Sequence, residues 1–259
     1  MRTRALTAAL SGGLALAAVS APAAQASPTS PTVITSVVVN GGKPIVVGTT
    51  GTTVTATVTG TNDSGIGGGG SVFLWHSGSD YDHRDAVLSD PASVCSSPSA
   101  TGTCTSKIPV IPALGGDLAL NRNSLAGTWH IGAVLYGNNH VPAFAYDYAK
   151  IKVLRQSQLT ADATPEPVKK GKTITVSGKL SRADWATAGY GGYGAQSVAL
   201  QFEKKGSSSF TTVKTVVSGA SGTVKTTVKA SVDGSYRFVF AADSSTSGIA
   251  SAADFVDVK

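Results

Sequence analysis

The run Asp80-Tyr81-Asp82-His83-Arg84-Asp85 gathers three carboxylates, an imidazole and a guanidinium within six residues. Carboxylate oxygens at this density suit Ca²⁺, which takes about six to eight oxygen ligands in flexible geometry. The spacing is not that of an EF-hand loop: no glycine marks the turn and no glutamate closes it. His83 and Arg84 are placed to neutralise the acids locally. Two readings therefore stand: a Ca²⁺ site on Asp80, Asp82 and Asp85, or a polar loop held by its own hydrogen bonds.

Other chemistry-bearing residues are sparse. Gly65-Ile66-Gly67-Gly68-Gly69-Gly70 spells GxGxxG. That motif binds a pyrophosphate only when a helix follows it. Here the strand-like Ser71–His76 follows, so the run reads as a flexible loop. The histidines His76, His83, His130 and His140 form neither HxxxH nor HExxH, and zinc catalysis needs three protein ligands and an open position. No GxSxG elbow is present. No catalytic residues are expected, and the chain reads as not an enzyme. Residues 181–196 carry Trp185, Tyr190 and Tyr193 among glycines. Such rings at the end of a sandwich stack on sugars or partner proteins when exposed, or fold back to cap the core when not. The loop is the leading candidate for partner binding.

The elements that must position these groups are strands. Charged residues make up 14% and aromatic residues 7% of 259, with 30 glycines; with Thr, Ser and Val abundant, this favours an all-β chain with many turns. The clearest strand is Thr173–Leu180. Ile174, Val176 and Leu180 fall on one face and Thr173, Thr175, Ser177 and Lys179 on the other. Strands are also expected at 33–39, 45–47, 53–59, 72–76, 107–111, 129–135 and 145–153. A second set falls at 159–163, 197–203, 210–217, 223–229, 236–241 and 255–258. Residues 61–70 read as a loop, and 77–105 as a long polar connection. Gly127-Thr128-Trp129 and Gly234-Ser235-Tyr236 open the penultimate strand of each set, a sign of one plan built twice. Trp129 and Tyr236 are expected in the cores.

Residues 1–26 read as a secretory signal peptide: Arg2 and Arg4, a small apolar run, then Ala24-Gln25-Ala26 as the cleavage site. The expected product is secreted and extracellular, with no transmembrane segment in the mature chain. In that compartment Cys95 and Cys104 are expected to form a disulfide. The expected domains are 27–154 and 155–259. The first holds six Lys/Arg against seven Asp/Glu; the second holds thirteen against eight. A basic half attracts anionic surfaces, while lysines on a wet face also block edge-to-edge pairing.

The run ATPEPVKKGKTITVSGKLSR, with VALQFEKKGSSSFTTVKTV, KTTVKASVDGSYRFVFA and ADFVDVK after it, resembles the bacterial immunoglobulin-like domains of exported actinomycete proteins. The resemblance covers Arg155–Lys259 well and Ser27–Leu154 weakly. It implies two immunoglobulin-like β-sandwich domains in tandem, outside the cell, and carries no catalytic residues. Calcium binding is loosely attributed to some relatives. The function expected is a non-enzymatic binding or structural module. Its partner would be a cell-wall polymer, a polysaccharide or an extracellular protein, and not nucleic acid. The alternatives are a Ca²⁺-binding secreted protein and, further off, a secreted hydrolase or enzyme accessory domain.

Overall fold

A computed structural model describes residues 30–90, 92–96, 99–112 and 120–259. The signal peptide expected at 1–26 lies outside them. The described chain is built from eighteen strands and three single-turn 3-10 segments. Among the described residues no helix is long and apolar enough to cross a membrane.

The first eight strands are β1 (Val33–Val39), β2 (Ile45–Val47), β3 (Thr52–His76), β4 (Ala86–Ser89), β5 (Ser93–Cys95), β6 (Ser99–Val110), β7 (Gly127–Gly137) and β8 (Pro142–Arg155). They hydrogen-bond into one continuous sheet, yet they form two layers. The first half of β3, residues 52–61, pairs with β1 on one side and β6 on the other. Its second half, residues 70–76, pairs with β7 and β4. The bend between the halves falls on the glycine run, where Gly65 and Gly69 adopt φ of 92° and 114°, a region that side chains resist. The expected loop at 61–70 is thus a bend inside a 25-residue strand. Ile66 in its middle is fully buried and anchors it.

The polar stretch 77–105 is also corrected: it contains β4, β5 and the start of β6. β4 buries Ala86 and Leu88, and the start of β6 buries Gly102 and Cys104, so small residues fill most of the inward positions and the hydrophobic alternation is weak. Cys95 and Cys104 sit directly opposite each other on β5 and β6 and are disulfide-bonded.

Ten shorter strands follow: β9 (Ser157–Leu159), β10 (Asp162–Thr164), β11 (Thr173–Asp184), β12 (Gly189–Gly192), β13 (Ser197–Lys204), β14 (Thr211–Val217), β15 (Thr223–Lys229), β16 (Gly234–Phe240), β17 (Ile249–Ala250) and β18 (Asp254–Val256). One sheet joins β9, β10, β12 and β15 to β11; the other runs β14-β13-β16, with β17 and β18 along β16. Ile174, Val176 and Leu180 from the first sheet share a cluster with Leu200, Tyr236 and Phe238 from the second. That shared cluster makes a sandwich.

Both halves use one wiring. The first half of β3 pairs with β6 and its second half with β7; likewise β11 pairs with β15 and β13 with β16. Strands two and five in one layer, three and six in the other, define an immunoglobulin-like sandwich. Trp129 and Tyr236 are both buried in their respective cores. Only Gln156 separates β8 from β9, and its backbone N–H donates to the Val47 carbonyl at 2.9 Å.

Candidate functional site

The hairpin β11–β12 positions the aromatic loop. Its strands pair Ser181–Asp184 with Gly189–Gly192, which leaves Trp185 at the tip. There Trp185 is fully buried and belongs to the hydrophobic cluster of the N-terminal sandwich, not that of its own. Its indole N–H donates to the Val47 carbonyl at 3.3 Å, and its backbone N–H donates to Asn123 Oδ1 at 2.9 Å. Asn123 Nδ2 in turn donates to Asp184 Oδ1 at 3.0 Å. That bond, with the backbone N–H groups of Ala186 and Thr187, holds the Asp184 carboxyl below its ordinary range.

Trp185 is therefore a joint between the two sandwiches, and no surface ring is left at its position for a partner. A large indole loses more by facing water than by entering a neighbouring core. Tyr190 packs against the same cluster and donates to Gln156 Oε1 at 2.6 Å. Tyr193 packs on the C-terminal core and hydrogen-bonds Asp243, with the Arg182 guanidinium 3.8 Å above its ring. Behind the hairpin Arg155 is buried, and its Nε donates to the Ala183 carbonyl. Burial, aided by the nearby Arg182, lowers its pKa to about 10.

The acidic run forms a 3-10 turn, Tyr81–His83, capped by Asp80. Asp80 Oδ1 accepts from the backbone N–H groups of Asp82 and His83 and pairs with His83 Nδ1 at 2.7 Å. The side-chain bond to His83 holds Asp80 below its ordinary pKa and raises that of His83. Asp85 faces other partners, His76 Nδ1 at 2.8 Å and Arg122 at 3.1 Å. Among the described residues, no three Asp, Glu, His or Cys side chains come together as a metal-binding group. Asp80, Asp82 and Asp85 have separate roles: a cap, a cleft rim and an ion-pair bridge.

Beside this turn lies an aromatic cluster that the sequence reading missed. Phe73 and Trp75 project from β3, Tyr81 from the turn, and Phe144 and Tyr146 from β8. Tyr81 lies 4.9 Å from Phe73 and 5.2 Å from Tyr146, centroid to centroid. The Phe144 and Tyr146 rings are nearly parallel, at 5.8 Å. Trp75 is buried beneath, stacked on His130 at 3.9 Å and donating to the Tyr146 carbonyl at 2.6 Å. The chain makes room for it. Residues 146–148 of β8 face only Gly132 on β7, so β8 bulges there, and a Cβ on Gly132 would lie 2.2 Å from the Phe73 ring. Phe144 and Tyr146 are 53% and 50% exposed, which marks this face as the open one.

Two clefts flank the turn. One, of about 200 Å³, is lined by Asp80, Tyr81, Asp82 and Tyr146. The other, of about 280 Å³, is lined by Asp82, Arg84, Asp85, Ala86 and Val87. Arg84 folds its guanidinium over the Tyr81 ring at 3.8 Å. The signal for this face was in the sequence, in the i, i+2 spacing of Phe144 and Tyr146 within Ala143-Phe144-Ala145-Tyr146-Asp147. It is easily read as a core-facing stripe, because alternation alone does not say which face is wet.

No family model matches the chain, and no curated protein matches it. Among solved structures, the fibronectin(III)-like modules of CbhA from Clostridium thermocellum align over 86% of this chain and 93% of theirs, at 13% identity and a TM-score of 0.33. The adhesin InvE of Yersinia pseudotuberculosis aligns over 88% of this chain and 60% of its own, at 15% identity and a TM-score of 0.28. Dimeric latent PorU of Porphyromonas gingivalis aligns over 92% of this chain, at 12% identity and a TM-score of 0.32; the chain spans 21% of PorU. The fold assignment rests on the strand pairing above.

Proposed function

We propose that this chain is a secreted, non-enzymatic binding module that acts outside the cell through the aromatic face of its N-terminal sandwich. The carrying observation is the pair of half-exposed rings, Phe144 and Tyr146, beside the acid-rimmed turn at Tyr81. Large rings left in water lose favourable burial that a ligand restores, and aromatic anchors dominate binding energetics at most interfaces. The disulfide Cys95–Cys104 suits an oxidising compartment. Two domains, divided at 154/155, carry this face and a basic companion.

The non-enzymatic part of the reading rests on the histidines. His76, His83 and His130 each pair with an aspartate, which copies half of a catalytic triad. Nucleophilic catalysis also needs a hydroxyl or thiol on the imidazole's other nitrogen. Among the described residues no Ser, Thr or Cys side chain is hydrogen-bonded to these rings. Pull-down from cell-wall, polysaccharide and extracellular protein fractions tests the proposal. A Phe144→Ala/Tyr146→Ala variant with unchanged melting is expected to lose retention at least tenfold. Equal retention by the variant contradicts the reading.

A further inference from the structure

The lysines of the C-terminal sandwich are not spread evenly. Backbone hydrogen bonds gather one group of them at the end of β11 opposite Trp185. The Lys172 N–H donates to the Lys169 carbonyl at 3.0 Å and closes the turn before β11. The Lys170 N–H donates to the Lys259 carbonyl at 2.8 Å, and the N–H of Ala230, next to Lys229, donates to the Lys172 carbonyl at 2.9 Å. The Lys205 N–H donates to the Asp233 carbonyl at 2.9 Å, and Asp233 Oδ1 accepts from the N–H of Val258, next to Lys259, at 2.9 Å. Two of these charges are neutralised: Lys205 pairs with Asp233 at 3.2 Å and Lys259 with Asp257 at 3.5 Å. Lys169, Lys170, Lys172, Lys204 and Lys229 are exposed, and among the described residues no carboxylate pairs with them. Between Lys169 and Lys259 a cleft of about 210 Å³, lined also by Pro167 and Val168, has room for one anionic group. Lysines that block edge-to-edge pairing sit along edge strands, as Lys214 does on β14 and Lys225 on β15. Those gathered here sit in turns and at strand ends, where that block is not needed.

We propose that this lysine end is a docking surface for a linear polyanion, a polymer chain carrying a phosphate or carboxylate on each repeat. It is a second surface, separate from the aromatic face, and does not rest on the reading of that face. Single exposed ion pairs are weak. Several unpaired ammonium groups fixed on one end engage successive charges of one chain, so each contact raises the local concentration for the next. Lysine suits this role, because a point charge on a flexible stem takes an anion without fixed geometry. A lipid bilayer fits less well. Stable seating there takes inserted apolar side chains besides charge, and the turn apex Lys169-Lys170-Gly171-Lys172 has none. Salt limits the reach of these charges to about 8 Å at physiological ionic strength, so the surface guides and orients the polymer more than it retains it.

The test is binding of the full chain to end-labelled long-chain inorganic polyphosphate and to polygalacturonate, read by fluorescence anisotropy from about 20 to about 150 mM sodium chloride. Saturable binding is expected at the low-salt end, with log Kd rising against log salt at a slope of about 3 to 4, the scale of five contacts on a flexible chain. Binding of one polymer alone assigns its anion, and binding of both assigns repeating negative charge in general. Lys169→Ala/Lys170→Ala/Lys172→Ala is expected to weaken binding at least tenfold and to lower the slope to about 1 to 2. Lys169→Arg/Lys170→Arg/Lys172→Arg is expected to retain it, and unchanged melting curves confirm folding of both. Lys214→Ala/Lys225→Ala removes charge from the same half away from this end, and less than a twofold change is expected. An equal loss with that variant, pyrophosphate binding as tightly as the polymers, saturation by phosphatidylglycerol vesicles without binding of either polymer, or no saturable binding at low salt overturns the proposal. The pull-down, run at about 150 mM salt where these contacts are screened, reads Phe144 and Tyr146 independently. Failure of the polymer titration leaves the aromatic face standing, and failure of the pull-down leaves this surface standing.

Discussion

At the scale of single residues, charge is managed in local pairs. His83 and Asp80 are both exposed, so their pair adds little stability, but its titration is diagnostic. The bond to Asp80 raises His83 above the ordinary 6.5, and the same bond lowers Asp80 below 3.8. The His83 contribution is present in full below 6.5 and lost as pH rises through its raised value. The Asp80 contribution is present above 3.8 and lost as pH falls through its depressed value. The pair is thus complete between those limits. An NMR titration is expected to place the His83 midpoint above the ordinary 6.5, and Asp80→Asn to bring it back toward 6.5. A His83 midpoint unmoved by Asp80→Asn would contradict the pairing. The face presented to solvent was the part of the site that could not be read at this scale. Ile174 and Val176 alternate with threonines and a serine, so polarity names their wet side. Phe144 and Tyr146 alternate with alanine and aspartate, and only the bulge over Gly132 and the burial of Trp75 decide which side stays open.

At the scale of elements, strands with a polar–apolar period were legible and irregular ones were not. β11, β13, β15 and β16 follow their alternation closely. β3 runs through its glycines because two layers need a shared bend there, a demand set by tertiary structure. The β11–β12 hairpin is the clearest case. Its residues promised a binding loop, and its tip instead fills the neighbouring core with Trp185. Removing a fully buried indole leaves a cavity, so Trp185→Ala is expected to cost about 3–5 kcal/mol by chemical denaturation. A cost below about 1 kcal/mol would show that the tip does not pack there. The β5–β6 disulfide closes a short loop, and Cys95→Ser/Cys104→Ser is expected to cost about 2–3 kcal/mol without loss of the fold, since the strands remain paired through Ser93–Ser106 and Val94–Thr105.

At the scale of the whole molecule, the Trp185 joint, the buried Arg155 and the single-residue connector act together. They hold the near-neutral aromatic half and the basic half in one relation. Heteronuclear relaxation is expected to give one tumbling time for both sandwiches and two in Trp185→Ala; two in the parent chain would refute the joint. The charge difference between the halves was legible in the sequence, but the half proposed to bind was not, because a charge count does not reveal an exposed ring. Retention on cell-wall and extracellular polymer fractions compares the two directly. Phe144→Ala/Tyr146→Ala alters the N-terminal face, and Lys214→Ala/Lys225→Ala removes exposed charge from the C-terminal sheets. The account predicts at least a tenfold loss for the aromatic variant and less than a twofold change for the lysine variant. Loss with the lysine variant and full retention with the aromatic one would contradict it.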